Sequence, residues 1–367
     1  VQCSRLAAML GRMSQSILDP DIAAIQLYVD DPIVTMRGTD DEITHMVTKL
    51  VLLWRALGFD LATHKAQLGP QVTWIGYQVT DSKLDTTLSI KESFLQELLT
   101  DTTAISRRNV VGKRSLRSFT GRCNHVANLL FAWRPFMDSL WAAVTQSESE
   151  QKKSWAPRGM LWTKQIRQSL LWIASFLRGS QDKLSRTWSF EEFELDGSRL
   201  IMTLDASPWG LGGVLQIDGI IVAYFSSPLS RHDQRIHRRR IGSATGQQTW
   251  ECLAFLVAIK IWQDFWADRR ISIVVRSDNL GALFMGAQMR SKASSIISRE
   301  VALTYAECAF EPRVFEHIPG IANGIADTLS RLHEPGTDKT LPEELRNITP
   351  SVVPLRTKDW YGVLATP

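Results

Sequence analysis

The strongest constraint on the fold is the order of apolar segments between residues 199 and 332. The first part predicts three strands, at Leu200–Leu204, Val214–Ile217 and Ile220–Phe225. Asp218-Gly219, between the second and third, is a strong signal for a two-residue hairpin turn. The second part alternates helices and strands: a helix over 245–262, a strand at Ile271–Val275, helices around 292–307, a strand near 313–318 and a helix near 322–332. Hairpin-linked strands followed by such an alternation predict a mixed α/β sheet.

The length and composition of the chain limit its class. At roughly 150 residues per domain, 367 residues are enough for two or three domains. With 44% apolar and 22% charged residues, the composition is typical of globular proteins rather than disordered ones. The longest uncharged run, Ala66 to Thr80, is shorter than the ~18 apolar residues that a membrane-spanning helix needs, so we expect no membrane segment.

Two further features concern the surroundings of the chain. The four cysteines are far apart and match neither a zinc site nor a disulfide framework, which predicts a reducing intracellular compartment, the cytoplasm or the nucleus. No basic-then-apolar leader follows Val1, so we expect no secretory signal. A start at valine also suggests that the chain is a fragment of a longer one.

The pattern divides the chain into four regions, at residues 1–85, 86–185, 186–333 and 334–367. The second region predicts helices from about 90 to 177, with polar breaks near 101–108 and 145–159. The second break is interpreted as a linker, and a third, near 178–186, as a domain boundary. The last region is rich in proline and predicts irregular structure.

The first region predicts a hairpin with two carboxylates at its tip. Residues 22–29 and 32–36 are apolar and strand-like, and Asp30 and Asp31 lie between them. A helix over 43–57 follows and ends at Gly58. We expect a further strand around Trp74–Tyr77.

Four acidic residues of the third region lie where ligands bind or where carboxylates are costly. Glu251 is the only polar side chain of note in the apolar stretch 250–259, and a lone buried carboxylate is unfavourable unless it is paired or binds a cation. Asp278 comes at the carboxyl end of the strand 271–275, where open α/β sheets bind their ligands. The other two are Asp205, which ends the first strand, and Asp327, in the first turn of the last helix.

Each acid also has a purely structural interpretation. Asp327 could favour the helix dipole, Asp278 could cap the helix after it, and Glu251 could pair with an arginine. Together, however, four clustered acids would repel one another and take up protons unless a divalent cation kept them ionised. Magnesium, with manganese as a possible substitute, prefers oxygen ligands, and two such ions ~4 Å apart can activate water and stabilise the leaving oxygen of a phosphodiester. We therefore predict metal-assisted phosphodiester hydrolysis.

The segments around the acids are TLDASPWGLGG at Asp205, TWECLA at Glu251, RSDNLGAL at Asp278 and PGIANGIADTLSR at Asp327. In this order they resemble the Asp-Glu-Asp-Asp set of retroelement ribonuclease H domains, and the last is similar to that of LTR and DIRS-like retrotransposons. Over 199–332 the resemblance implies a ribonuclease H-like domain whose four acids bind magnesium and which hydrolyses the RNA strand of an RNA/DNA hybrid. Within it, we interpret Asn279 and Asn323 as turn and cap residues.

In the first region, Tyr28-Val29-Asp30-Asp31 is similar to the polymerase signature of reverse transcriptases, in which the hairpin carboxylates hold the metal ions of the incoming triphosphate. The helix 43–57, Lys65 and VTWIGY at 72–77 resemble the end of a reverse-transcriptase palm, and LRSFTGR at 116–122 resembles the helical thumb and connection. The resemblance implies template–primer nucleic acid as a partner. The family uses a further aspartate well upstream, but only 29 residues precede Asp30. We therefore expect a partial palm with an incomplete polymerase site.

Two basic groups predict contacts with nucleic-acid phosphates, which position a duplex without reading its sequence. The first is a basic loop just before the Glu251 helix, formed by Arg231, Arg235, Arg238, Arg239 and Arg240 with His232 and His237. The second lies in the thumb-like helices and comprises Lys113, Arg114, Arg117 and Arg122. The alternative for both is a solvated surface.

Three hypotheses stay open from the sequence. The first is an enzyme, the C-terminal part of a retrotransposon reverse transcriptase–ribonuclease H. The second is a catalytically silent nucleic-acid-binding remnant, against which the four intact acids argue. The third is a ribonuclease H-fold nuclease or transposase unrelated to reverse transcription, against which the palm-like order of the first region argues. The sequence does not indicate an oligomeric state.

Overall fold

The structure is a computed structural model that describes residues 2–82, 84–146, 156–179, 184–189, 199–266, 272–291, 293–307, 314–337 and 339–365. The chain forms two compact units, Val1–Lys91 and Glu92–Pro367. The predicted linker and the predicted boundary fall partly outside the described residues, at 147–155 and 180–183. None of the described helices is both long and apolar enough to cross a membrane.

The first unit packs two helices on a hairpin. Its described elements are α1 (Gln2–Ile17), β1 (Ala23–Tyr28), β2 (Asp31–Met36), α2 (Asp40–Ala56), β3 (Gln71–Trp74), β4 (Tyr77–Asp81) and β5 (Asp85–Ile90). The predicted hairpin is confirmed, because β1 and β2 pair antiparallel with Tyr28 opposite Asp31. Leu18, Ala23, Met46 and Leu50 form the buried centre of this unit.

Two details of the first unit concern the ends of its elements. The helix α2 begins with a capping box in which Thr39 and Glu42 bond to each other's backbone N–H groups. The single strand predicted around Trp74–Tyr77 is wrong. Ile75 and Gly76 have positive φ angles of 45° and 86° and form the two-residue turn that joins β3 and β4.

The helical part of the second unit contains α3 (Glu92–Ser106), β6 (Val110–Gly112), α4 (Lys113–Leu129), α5 (Arg134–Thr145), β7 (Met160–Trp162), α6 (Arg167–Leu177) and β8 (Ser185–Ser189). The predicted break near 101–108 begins too early. The hydroxyls of Thr102, Thr103 and Ser106 donate to carbonyls one turn back, so these polar residues continue α3. The antiparallel pair β6–β7 was not predicted. Stacked and tilted rings of α5 and α6, with Trp133 before α5, fill the core.

The rest of the second unit is a five-stranded mixed sheet with helices. Its elements are β9 (Arg199–Ala206), β10 (Gly210–Ile217), β11 (Ile220–Pro228), α7 (Arg231–His237), α8 (Gln247–Ile261), β12 (Ser272–Ser277), α9 (Leu280–Gln288), α10 (Ser295–Glu307), β13 (Val314–His317) and α11 (Gly324–Arg331). The strand order is β11-β10-β9-β12-β13, with β12 parallel to both neighbours and the other pairs antiparallel. The predicted α/β class is therefore confirmed.

The predicted turn and the predicted buried helix of this part are present in the structure, whereas two other features differ from the prediction. Asp218 and Gly219 adopt φ angles of 50° and 84° and make the predicted hairpin turn. The helix α8 is buried from Thr249 to Ile259. The prediction of a basic loop at Arg231–Arg240 is wrong in part, because its first seven residues form α7, which begins with a capping box of Ser230 and Asp233. The bounds of α9, the helix after Asp278, were not predicted.

The tail, residues 334–367, has no α-helix or strand among its described residues, but it does pack on the domain. Leu345, Arg356, Tyr361 and Val363 are each at most 2% exposed. Pro350 forms an isolated parallel bridge with Tyr224 of β11. Apart from three short 3-10 helices, at Glu343–Leu345, Lys358–Trp360 and Gly362–Leu364, the tail therefore has an irregular backbone and is anchored by buried side chains.

Candidate active site

Three of the four predicted acids converge at one edge of the mixed sheet. Asp205 lies at the end of β9, and Asp278 directly follows β12, the parallel neighbour of β9. Parallel strands bring their carboxyl ends to the same edge, which places these two residues together. Glu251 comes from α8, which packs on β9. One carboxylate oxygen of each residue lies within 4.8 Å of the other two. We call Asp205, Glu251 and Asp278 the acid group.

Burial makes the charged form of this group unfavourable. Asp205 and Glu251 are 5% and 6% exposed, whereas Asp278 is open to solvent. Burial, together with repulsion from Asp278 and Asp327, raises the pKa of Asp205 to about 7 against a hydrogen bond from Ser330. Burial and then repulsion from Asp205 raise the pKa of Glu251 well above its ordinary value. A bound cation would favour the ionised form of all three.

Uncharged donors hold the carboxylates of the acid group. The Ser330 hydroxyl donates to Asp205 Oδ2 at 2.7 Å, and Gln247 Nε2 donates to Glu251 Oε1 at 2.8 Å. Neither residue was assigned a role from the sequence. The signal for Gln247 is its position one helical turn before Glu251. Ser330 gives no comparable signal, because its partner lies 125 positions away in the chain.

Asn323 joins two members of the acid group. Its Nδ2 lies 3.1 Å from the Leu204 carbonyl, 3.2 Å from Asp205 Oδ1 and 3.5 Å from Asp278 Oδ1. Asn323 occupies the N-cap position of α11, as predicted, but its side chain makes no capping hydrogen bond. Its Oδ1 is buried and has no hydrogen-bond partner among the described residues.

Asn279, by contrast, is confirmed as a cap, since its Oδ1 accepts the N–H of Ala282 at 3.0 Å at the start of α9. The capping interpretation of Asp278 is therefore wrong. The backbone of Asp278 is held separately, because its carbonyl lies 3.0 Å from His317 Nε2 on β13. These contacts leave the Asp278 carboxylate within the acid group.

Asp327 lies in the first turn of α11, as predicted, but outside the acid group. Its Oδ1 accepts from Arg331 Nε at 2.6 Å, one helical turn later, and its side chain is 40% exposed. The charge of Asp327 nevertheless contributes to the raised pKa of Asp205. The fourth predicted acid thus stands beside the group and is paired with an arginine.

Asp30 and Asp31 occupy the tip of the β1–β2 hairpin, as predicted. Both are exposed, and Asp30 shares the two-residue turn with Val29, whose φ is 58°. The Asp31 carbonyl accepts from Trp74 Nε1 at 3.0 Å. Among the described residues, no third acidic or metal-ligating side chain joins these two.

The predicted basic loop, Arg231–Arg240, is called the basic segment below. Four of its arginines are exposed and Arg239 is half-buried; the four are Arg231, Arg235, Arg238 and Arg240. None of the five forms an ion pair with a described residue. The connection after the segment contacts the loop after Asp205, since Gly242 N donates to the Pro208 carbonyl at 2.8 Å. The basic segment therefore leads directly to the neighbourhood of the acid group.

Not every member of the two basic groups faces solvent. His237 is buried, its Nε2 lies 2.9 Å from Tyr361 Oη, and burial lowers its pKa to about 4, so it is neutral and unsuited to a phosphate contact. On α4, Arg114 and Arg117 are exposed and three residues apart. Lys113 Nζ instead donates to the Gln146 carbonyl at 2.7 Å, and Arg122 pairs with Asp101.

No protein-family model matches this chain, and no curated protein matches it. Among solved structures, the chain is similar to a foamy viral protease-reverse transcriptase in complex with RNA/DNA hybrid, at 17% identity and a TM-score of 0.38 over 95% of this chain and 40% of that one. The same protein with double-stranded DNA gives 18% identity and a TM-score of 0.37 over 85% and 59%. A ribonuclease H1 isolated from compost by a metagenomic approach gives 18% identity and a TM-score of 0.29 over 37% and 93%.

The chain thus spans 40% of the length of the first foamy viral chain and 59% of the length of the second. All of these TM-scores are below 0.5.

Proposed function

We propose that this chain hydrolyses the RNA strand of RNA/DNA hybrids with the help of magnesium, as part of a retrotransposon reverse transcriptase–ribonuclease H. The observation that carries the proposal is the acid group. Three carboxylates separated by dozens of residues in the chain meet within 4.8 Å at the carboxyl edge of one mixed sheet. A structural role explains them poorly, because none of the three forms an ion pair with a described residue.

The side chains of the acid group fit a divalent cation. Carboxylate oxygens are the ligands that magnesium and manganese prefer, and burial raises the pKa values of Asp205 and Glu251, so a bound cation would stabilise their charged forms. Asp205, Glu251 and Asp278 would hold the metal, with Asp327 as the fourth ligand once its carboxylate leaves Arg331. When bound, the metal supplies an activated water and charge stabilisation at the scissile phosphate.

The residues around the acid group orient it. Ser330 and Gln247 each hold one carboxylate oxygen and so fix the orientation of Asp205 and Glu251. Asn323 keeps Asp205 and Asp278 at a fixed separation. Such preorganisation reduces the rearrangement that binding would otherwise require. The exposed arginines of the basic segment, and Arg114 and Arg117 on α4, would bind phosphates away from the cleaved bond.

In this proposal the first unit is the end of a reverse-transcriptase palm and the helical part of the second unit is its thumb and connection. Asp30 and Asp31 would then be two metal ligands of a polymerase site in the whole protein, where template–primer nucleic acid binds. In this chain they lack a third carboxylate among the described residues. Ribonuclease H activity is therefore the activity that we expect of the chain as it stands.

The test is cleavage of matched duplexes that carry one labelled strand. The purified chain is incubated with an RNA/DNA hybrid, a DNA duplex and an RNA duplex of one sequence, with magnesium, manganese or EDTA. We expect metal-dependent cleavage of the RNA strand of the hybrid alone. Cleavage of DNA would favour a ribonuclease H-fold nuclease or transposase. Tight hybrid binding without cleavage would favour a silent remnant, for which the pairing of Asp327 with Arg331 is the supporting observation.

A further inference from the structure

The tail is attached to the sheet domain at successive points, although its described residues form no α-helix or strand and only three short 3-10 helices. Leu345 packs into the core between β10, β11 and α11. Ser351 is held from two sides, because its N–H donates to the Tyr224 carbonyl at 2.7 Å and its hydroxyl accepts from Trp262 Nε1 at 2.9 Å. These contacts direct the tail along β11 toward the basic segment.

The next attachment reaches the start of α7. Arg356 is 2% exposed, and its Nε and Nη2 donate to the two carboxylate oxygens of Asp233, each at 2.9 Å. The same guanidinium donates to Ser227 Oγ and to the Pro228 carbonyl, both at 2.9 Å. Asp233 is also the capping residue of α7 and accepts from Ser230 N and Oγ. One buried carboxylate therefore joins the tail to the first turn of α7.

A second attachment reaches the end of the same helix. Tyr361 is fully buried, and its hydroxyl lies 2.9 Å from Nε2 of His237, the last residue of α7. The backbone of the tail is fixed at this point, because the Glu300 carboxylate accepts from the N–H groups of Gly362 and Val363 at 3.0 and 2.9 Å. The tail thus holds α7 at both ends.

We infer that Arg356 and Tyr361 are positioning residues for phosphate binding by the basic segment. A seven-residue helix is too short to be stable alone, since isolated helices shorter than ~12 residues are marginal in water. The attachments from the tail fix the direction of α7, and thereby Arg231 and Arg235 on it and the arginines that directly follow it. The inference rests on the proposed function, because the ligand of these arginines is the phosphate backbone of the hybrid.

The structural part is tested in the full chain by hydrogen exchange. Arg356→Lys breaks the two-pronged contact with Asp233 but keeps the charge, and Tyr361→Phe removes one hydroxyl. Arg346→Lys is the matched control, because Arg346 lies in the same tail and makes an exposed ion pair with Glu343. In both variants we expect hydrogen exchange over 231–242 to accelerate at least about tenfold, while exchange in β9 stays unchanged. In the control, Arg346→Lys, exchange over 231–242 should stay unchanged as well. Unchanged exchange there in Tyr361→Phe and Arg356→Lys would overturn the inference.

The functional part is tested by binding and cleavage of a labelled RNA/DNA hybrid. We expect Arg356→Lys to raise Kd and KM about threefold to tenfold, with kcat within twofold of the parent. The slope of log affinity against log salt should become shallower by about 1 to 3, as fewer phosphates are contacted. If Arg356→Lys does not fold, Tyr361→Phe gives the same measurement with a smaller effect.

The outcomes separate the two proposals. A parent chain that binds no hybrid would contradict the proposed function, and hydrogen exchange alone would then decide whether the tail holds α7. A parent that binds the hybrid in a salt-dependent way, with variants of unchanged KM and salt slope, would contradict the positioning role and leave the proposed function standing.

Discussion

The chain carries two sets of acidic residues, and their surroundings differ. Asp30 and Asp31 are neighbours in sequence, exposed at a hairpin tip and without a third acid among the described residues. The acid group is assembled from three separate elements and is largely buried. Adjacent carboxylates in a turn need no ion, since water solvates them. Buried carboxylates that converge need a positive partner, because neither hydrogen bonds nor solvent offset their repulsion fully.

The largest expected effect comes from removing one charge of the acid group. Asp278→Asn keeps the shape and volume of the side chain, so the fold should survive while the rate of RNA cleavage falls by about 10²–10³-fold, the range for loss of one preorganised group at a reacting centre. Asp60→Asn is the matched control, because Asp60 is fully exposed and its one ion pair with a described residue is to Arg55. Cleavage rates and thermal midpoints are measured together. Parent-level cleavage by Asp278→Asn would return Asp278 to a structural role.

His237 is a buried titratable group outside the acid group, so it reports the effect of burial on stability without any contribution from a bound metal. Burial lowers the pKa of His237 to about 4 from an ordinary 6.5. Below pH 6.5 the unfolded chain therefore binds a proton that the folded chain does not bind until about pH 4, so stability falls as pH falls through this window. The loss is at most about 3 kcal/mol, at 1.36 kcal/mol per pKa unit.

The measurement is denaturant unfolding in EDTA at pH 7 and pH 5. His237→Gln should lose less stability than the parent on acidification, whereas His45→Gln, an exposed histidine of α2, should match the parent. Equal losses in all three chains would show that His237 is accessible to protons in the folded state. Magnesium should not alter this difference, because His237 is not part of the acid group.

How well the sequence predicts these sites depends on how far apart along the chain the interacting residues lie. The hairpin tip at Asp30 and the turn at Asp218 are local, so residue preferences for turns specify them. The acids were found because Glu251 contradicts its apolar surroundings and Asp278 follows a buried strand. The contacts of the Asn323 side chain could not be predicted, since its partners Asp205 and Asp278 are brought to it only by the strand order of the sheet.

The same limit applies to the tail. Its proline content and lack of periodicity predict irregular backbone, which the described residues have. Nothing local indicates that Arg356 would be buried, because arginine is normally exposed and its partner Asp233 is 123 positions away. Long-range pairs of charged residues are invisible to periodicity, and they hold this part of the molecule together.

Magnesium binding gives a smaller effect, which should be confined to one of the two acid sets. A ligand at ten times its Kd stabilises the folded state by about 1.4 kcal/mol. We expect magnesium to raise the thermal midpoint of the parent by a few degrees and to leave Glu251→Gln unchanged. In EDTA, Glu251→Gln should be at least as stable as the parent, because it removes a charge that burial opposes. A magnesium shift equal in both chains would place the ion elsewhere.

The smallest expected effect belongs to the exposed pair. Changing Asp30 and Asp31 together to Asn should alter the free energy of unfolding by less than about 0.5 kcal/mol, as is usual for surface substitutions.

Magnesium should slow hydrogen exchange in β9, α8 and the start of α9, and not in the β1–β2 hairpin. The purified parent chain should also fail to extend a DNA primer on an RNA template, because two exposed carboxylates without a third are a poor site for a cation. Two results would contradict this expectation: primer extension that Asp30→Asn abolishes, or slower hydrogen exchange of the hairpin in magnesium. Either would show that two adjacent exposed carboxylates suffice to bind a cation, and the two sets of acids would then not differ in this respect.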